Sequence, residues 1–165
     1  MMKLKIKKLT DTAIVPVKAH PTDSGFDLFA DEDVIIEPGE TVVIKTGIAI
    51  ALPPNHEAQI RPKSGVTSKT KLRVQLGTVD EPYRGEIGVI VDNISQYTGE
   101  RDKWPAYIDG TEAVGVNLLD GEIIVCKGDK IAQMVIAPVA HPQISVVGEL
   151  DATDRGENGF GSTGV

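Results

Sequence analysis

Residues 41–52 read TVVIKTGIAIAL, a run dense in β-branched side chains. Such residues pack well on a pleated surface and lose rotamer freedom in a helix. Four more runs have the same character: DVIIEP (33–38), EIGVIVD (86–92), EIIVC (122–126) and KIAQMVIAPV (130–139). Between and beside them the chain alternates with period two. KLKIKKL (3–9) puts Leu4 and Ile6 on one face, KLRVQL (71–76) does so with Leu72, Val74 and Leu76, and AVGVNLL (113–119) with Val114, Val116 and Leu118. Turn signals punctuate the runs at EPGE, LPPN, YRGE, LDGE and KGDK, the last expected as a hairpin loop. No stretch of ten residues keeps a helical period, and only SGVTSK (64–69) suits a short helical turn. Many short strands with frequent turns predict an all-β sandwich or barrel in a single domain, residues 1–165.

The chain has 165 residues with a net charge of −7, 41% apolar and 25% charged residues. That length supports a sizeable core. The acidic balance argues against a general nucleic-acid or anionic-membrane binder. No apolar run approaches the length of a membrane span, and the basic N-terminus alternates like a strand instead of leading into a signal sequence. A lone cysteine, Cys126, excludes an internal disulfide, and a cytoplasmic setting is expected. Cys126 itself is expected as a small buried apolar residue.

Five segments hold more Gly, Ser, Asp and basic residues than a plain sandwich needs. They are DSGFDLFA (23–30), RPKSGVTSK (61–69), GTVDEPYRGEIGV (77–89), GDKIAQM (128–134) and RGENGFGSTG (155–164). Singly, most read as turns. The amides of PKSG could cradle an anion. In the third, Asp80 and Tyr83 flank a turn through Pro82. A hairpin tip there, with Arg84 and Glu86 pairing on its surface, could present backbone donors and acceptors to a nucleobase edge. Such readout rejects a base whose pattern leaves buried groups unpaired.

In order and spacing, the five segments resemble the motifs of the trimeric deoxyuridine triphosphatases (dUTPases). The resemblance runs from residue 23 to the C-terminus. It implies a distorted jelly-roll β-barrel that assembles as a three-fold homotrimer with active sites shared between subunits. It further implies Mg2+-assisted hydrolysis of dUTP to dUMP and pyrophosphate. On the family pattern Asp80 is the catalytic residue that orients the attacking water, and Tyr83 excludes ribose. The backbone around Gly77 and Val79 pairs with uracil, while Lys63, Ser64, Gly65 and Gln133 hold phosphates. Asp27 supports the metal side, with Mg2+ otherwise carried by the triphosphate. Arg155, Phe160, Gly161, Ser162 and Thr163 belong to a C-terminal lid, 151–165, which closes over a neighbour's site. The family usually has arginine where this chain has Lys63, which keeps the charge but loses the bidentate fork.

Residues 94–110, ISQYTGERDKWPAYIDG, interrupt the strand rhythm and carry the only tryptophan, Trp104. They are expected as an insertion, similar to the extra segment of some bacteriophage dUTPases, and could dock a regulatory protein. Two alternatives to the hydrolase are a nucleotide-gated interaction protein and the related dCTP deaminase branch. His20, His56 and His141 lack ligand spacing and are expected on surfaces or turns.

Overall fold

The computed structural model describes residues 3–97, 107–113 and 119–158. Ten strands and one helix occur among them: β1 Lys5–Lys8, β2 Gly25–Phe29, β3 Val34–Ile36, β4 Thr41–Ala51, β5 His56–Arg61, α1 Ser64–Lys69, β6 Leu72–Val74, β7 Gly77–Val79, β8 Glu86–Asn93, β9 Ile123–Val125 and β10 Lys130–Pro138. The all-β expectation is met, and the single helix falls on SGVTSK.

Pairing between these strands is antiparallel, in three sheets ordered β1-β4-β8-β6, β2-β10-β5-β7 and β3-β9. No two of these strands adjacent along the chain are neighbours in a sheet. Each connection therefore crosses between sheets, the wiring of a jelly roll. This corrects the hairpins expected from the turn signals. KGDK joins β9 to β10 and YRGE leads into β8 from β7, in each case strands of different sheets. The turns are real, as in the Asp129 N–H bond to the Cys126 carbonyl, but they hand the chain over instead of folding it back.

The inner faces meet in one core containing Leu28, Ile44, Ile48, Leu72, Val89 and Met134, all essentially inaccessible. Full burial of such a side chain contributes about 1.5–3 kcal/mol. Asn93 is also buried, and its amide donates to the Ile36 and Gly121 carbonyls at 2.8 and 2.7 Å, bolting the small sheet to β8. Alternation along KLRVQL stops at Val74. Leu76 lies beyond β6 and is 78% exposed, against the expectation of one face. Residues 114–118 of the strand expected at AVGVNLL and residues 98–106 of the expected insertion, Trp104 among them, lie outside the described residues.

The longest strand, β4, contains a bulge. Its register with β8 breaks between Lys45 and Ala49, and Gly47 takes φ +65°. A Cβ there would stand 2.5 Å from Asp31 Oδ2 and 2.7 Å from Ala13 Cβ, so both backbone angle and space require glycine. At the other end of the chain, the Val139 N–H bonds the Asn55 carbonyl. Residues 140–158 are then exposed, and their hydrogen bonds are local ones around Thr153–Asn158.

Candidate active site

The expected site residues fall into two groups, one around the start of α1 just past β5 and one on the β7 side of β5. The first surrounds the start of α1. Strand β10 lies between β2 and β5, with Gln133 opposite Asp27 on one side and Arg61 on the other. Asp27 is only 7% exposed. Lys63 Nζ donates to its Oδ1 at 2.7 Å, and Lys130 Nζ stands 2.9 Å from its Oδ2. Burial opposes ionisation of Asp27, but the hydrogen bonds and charges of Lys63 and Lys130 outweigh it and hold the carboxyl below its ordinary range. The trio carries a net positive charge into a chain of net charge −7.

Gln133 Nε2 donates to the Pro62 carbonyl at 2.8 Å and so fixes the loop leading to Lys63. A Cβ at Gly25 would stand 2.6 Å from Gln133 Oε1 and 3.1 Å from its Cβ, so a side chain there would shift Gln133 off this loop. The first bonds of α1 run from the Val66 and Thr67 amides to the Lys63 carbonyl, leaving the amides of Ser64 and Gly65 outside the helical ladder. A Cβ at Gly65 would meet nothing within 4 Å, so this flank of the loop is open. Arg61 turns away from the group onto Gln59 Oε1, 3.0 Å from its Nε.

Lys130 was not legible as part of this group. Its place in GDK suggested a turn, and only the pairing of β10 with β2, irregular between Lys130 and Ala132, turns it onto Asp27. The pH dependence follows from the direction of the Asp27 shift. Because the folded-state carboxyl is the stronger acid, its pairing stabilises above the ordinary carboxylate pKa and is lost as pH falls through the lowered value. Asp27→Asn is therefore expected to lower stability at neutral pH and to show a smaller further loss on acidification. Urea midpoints at about pH 5 and about pH 3 read this out; an unchanged acid response would contradict it.

The second group lines a cleft of ≈220 Å³ between β5, β7 and β8, whose walls include Ile60, Gly77, Val79, Asp80, Tyr83 and Glu86. Four expected residues are thus brought together. The Tyr83 N–H closes the turn on the Asp80 carbonyl at 3.0 Å, and Arg84 wraps it by donating to the Glu81 and Tyr83 carbonyls. Asp80 is exposed at the rim, where water can reach it. The expected Arg84–Glu86 pair does not form; Glu86 Oε1 accepts the Gly47 N–H at 2.8 Å instead. The apolar wall of Ile60, Ile87 and Ile90 had no sequence signal as a ligand surface, because each reads as strand core.

The family profile for dUTPase matches residues 11–100 and 106–164. The chain belongs to the dUTPase family. The internal gap in that match, 101–105, falls within the segment read as an insertion. The deoxyuridine 5'-triphosphate nucleotidohydrolase of Gloeothece citriformis is 47% identical over 166 residues, covering 99% of this chain and 98% of its own. That of Clostridium novyi is 44% identical, covering 99% and 100%. Among solved structures, the Staphylococcus bacteriophage 80alpha dUTPase with dUPNHPP superposes with a TM-score of 0.93 at 35% identity, covering 99% of both chains. That protein is described as controlling transfer of virulence genes by a G protein-like mechanism. A mutant dUTPase of phage phi11 of S. aureus, described as coordinating a structural Mg(II) ion, matches with a TM-score of 0.85 at 32% identity, over 91% of this chain and 99% of its own.

The remaining expected residues are less informative. Arg155 is exposed and bonds locally, Nε to the Asn158 carbonyl at 3.1 Å. Phe160, Gly161, Ser162 and Thr163 lie outside the described residues. Cys126 is half-buried rather than buried, and burial pushes its thiol pKa up. His20 pairs with Asp23, and His56 Nδ1 lies 2.8 Å from the Pro54 carbonyl. Among the described residues no three acidic, His or Cys side chains form a metal cluster, and no helix is long and apolar enough to cross a membrane.

Proposed function

We propose that this dUTPase-family chain hydrolyses dUTP to dUMP and pyrophosphate, in sites that each draw on more than one copy of the chain. The observation that carries the shared site is the separation of the two groups. Register pairs Ile60 with Gly77 and Ala58 with Val79, so Asp80 continues toward Glu57 while Lys63 lies past Arg61. Six residues of extended chain span roughly 20 Å. A water held by Asp80 must lie within about 3.5 Å of the phosphorus it attacks. That separation of Asp80 from the Lys63 loop favours a site in which the two come from different copies of the chain.

In this reading uracil enters the cleft at Gly77–Val79, and its edge is met by backbone groups. Asp80 orients the water for in-line attack on the α-phosphorus and accepts its proton. Lys63 and Lys130, held by Asp27, and the free amides at Ser64–Gly65 take the phosphates of a nucleotide seated in a neighbour's cleft. Gln133 keeps that loop in place. Arg155 and the residues after it close over the site and exclude water. Both Asp27 oxygens face lysines, so the donor set here does not suit a protein-held cation. Magnesium fits better as part of the substrate, on the triphosphate with its waters, where it neutralises phosphate charge.

Assembly as a homotrimer has a matching surface. Val43 and Ile90 are register partners on the outer face of β4 and β8, and Leu76 follows Gln75, whose N–H bonds the Ile90 carbonyl. Val43 is 61% and Leu76 78% exposed. A contiguous apolar face beside the cleft suits contact with another copy. Replacing Val43 and Leu76 together by Asp is expected to give a folded monomer with activity near background, read by light scattering and product release. An active monomer would contradict the shared site.

The deciding assay is pyrophosphate release with magnesium from dUTP, dCTP, dTTP and UTP. Release from dUTP alone is expected. Conversion of dCTP to a uracil nucleotide would favour the deaminase branch, and no turnover by a folded protein would favour a nucleotide-gated binding role. The 80alpha likeness gives that binding role a place beside catalysis: deleting residues 96–108 would then remove partner capture and spare hydrolysis.

A further inference from the structure

We propose that Gly85 and Glu86 are positioning residues for Tyr83, and that through its ring they set the preference for deoxyribose over ribose. The inference rests on the reading of Tyr83 as the wall facing the sugar. Tyr83 is half-exposed, on a turn, and its own packing does not fix it. Two features do. Its hydroxyl donates to the Glu86 carbonyl at 3.0 Å, and its ring lies against the face of Gly85. A Cβ at 85 would stand 2.4 Å from the Tyr83 hydroxyl oxygen and 2.6 Å from the ring carbon bearing it. Any side chain there evicts the ring.

The acceptor is itself anchored from another strand. At the β4 bulge Gly47 has no ladder partner on β8, and Glu86 supplies one by accepting the buried Gly47 N–H at 2.8 Å. The Gly47 carbonyl accepts the Leu9 N–H at 2.7 Å, and Thr46 Oγ1 donates to the Ile87 carbonyl at 2.5 Å. The first residues of β8 are thus clamped to the bulge by side chains on both strands. Removing the Glu86 carboxylate leaves a buried donor unpaired and loosens the clamp on the start of β8, where the carbonyl that receives the tyrosine then relies on the Ala49–Glu86 pairing and the Thr46 bond to Ile87. A wall that drifts by even a fraction of an ångström admits a 2′-hydroxyl.

The test compares kcat/KM for dUTP and for UTP in wild type, Gly85→Ala, Glu86→Ala and Glu86→Gln, with thermal melts of each. Gly85→Ala and Glu86→Ala are expected to lower the dUTP-to-UTP ratio at least about tenfold, the scale of a misplaced contact. Glu86→Gln, whose amide oxygen can accept the same N–H, should keep the ratio within about threefold of wild type. Equal losses on both nucleotides, with the ratio unchanged in Gly85→Ala, would overturn the inference, as would Glu86→Gln behaving like Glu86→Ala. Should Glu86→Ala fail to fold, Gly85→Ala and Glu86→Gln still decide. A wild type inactive on dUTP would instead overturn the functional reading beneath it.

Discussion

Asp80→Asn is expected to lower dUTP turnover by about 10²–10⁴-fold, the usual worth of a positioned general base. Melting temperature and oligomeric state should not change. Asp80 is exposed at the cleft rim, so its carboxylate supports no buried partner. The turn is held by its backbone carbonyl, which accepts the Tyr83 N–H and survives the substitution. Asn keeps the shape and can still hold a water, but it cannot take the proton. The loss should therefore appear in kcat, with affinity for a non-hydrolysable dUTP analogue retained within a few fold. A variant that retained activity would move the base elsewhere; one that lost nucleotide affinity as well as rate would make Asp80 a binding residue.

Ending the chain after Asp154 is expected to cost about 10²-fold or more in activity and almost nothing in stability. Past Val139 the described tail leaves the barrel, and Ile144 and Val146 are almost wholly exposed at 94% and 96%. Burial is what stabilises, and the described residues that the truncation removes, 155–158, are exposed, so their loss takes nothing from the core. The worth of the segment is realised only with nucleotide bound. Truncation should leave the melting temperature within a degree or two, while removing the stabilisation that the dUTP analogue gives to the full chain. A truncated chain that unfolds would show that the tail belongs to the fold instead of the site.

The sequence carried the fold class because β-branched runs such as residues 41–52 and 86–92 are governed by local packing preference. It carried the helix at 64–69 because that segment lacked a strand pattern. It misjudged the connections, since a Gly-containing turn looks alike whether the next strand pairs with the last one or crosses to another sheet. Leu76 looked inward by extrapolation, but a strand ends where its pairing ends. For the site, Gly77, Val79, Asp80 and Tyr83 could be grouped from one contiguous motif. The roles of Lys130 and Glu86 could not be read although both lie in such segments, because each acquires its role from a strand remote in sequence: β2 through Asp27 and the β4 bulge through Gly47. The separation of Asp80 from Lys63 was likewise invisible until the register of β5 with β7 was known.

The shared site is tested most directly by complementation. Asp80→Asn and the chain truncated after Asp154 are each expected to be inactive alone. Co-refolded at equal amounts, they give mixed trimers in which some sites draw an intact Asp80 from the truncated chain and an intact tail from the substituted one. With random mixing about a quarter of the sites are complete, so activity should return to roughly that fraction of wild type. Activity no higher than that of either parent would contradict the account and place Asp80 and the tail of each site on the same chain.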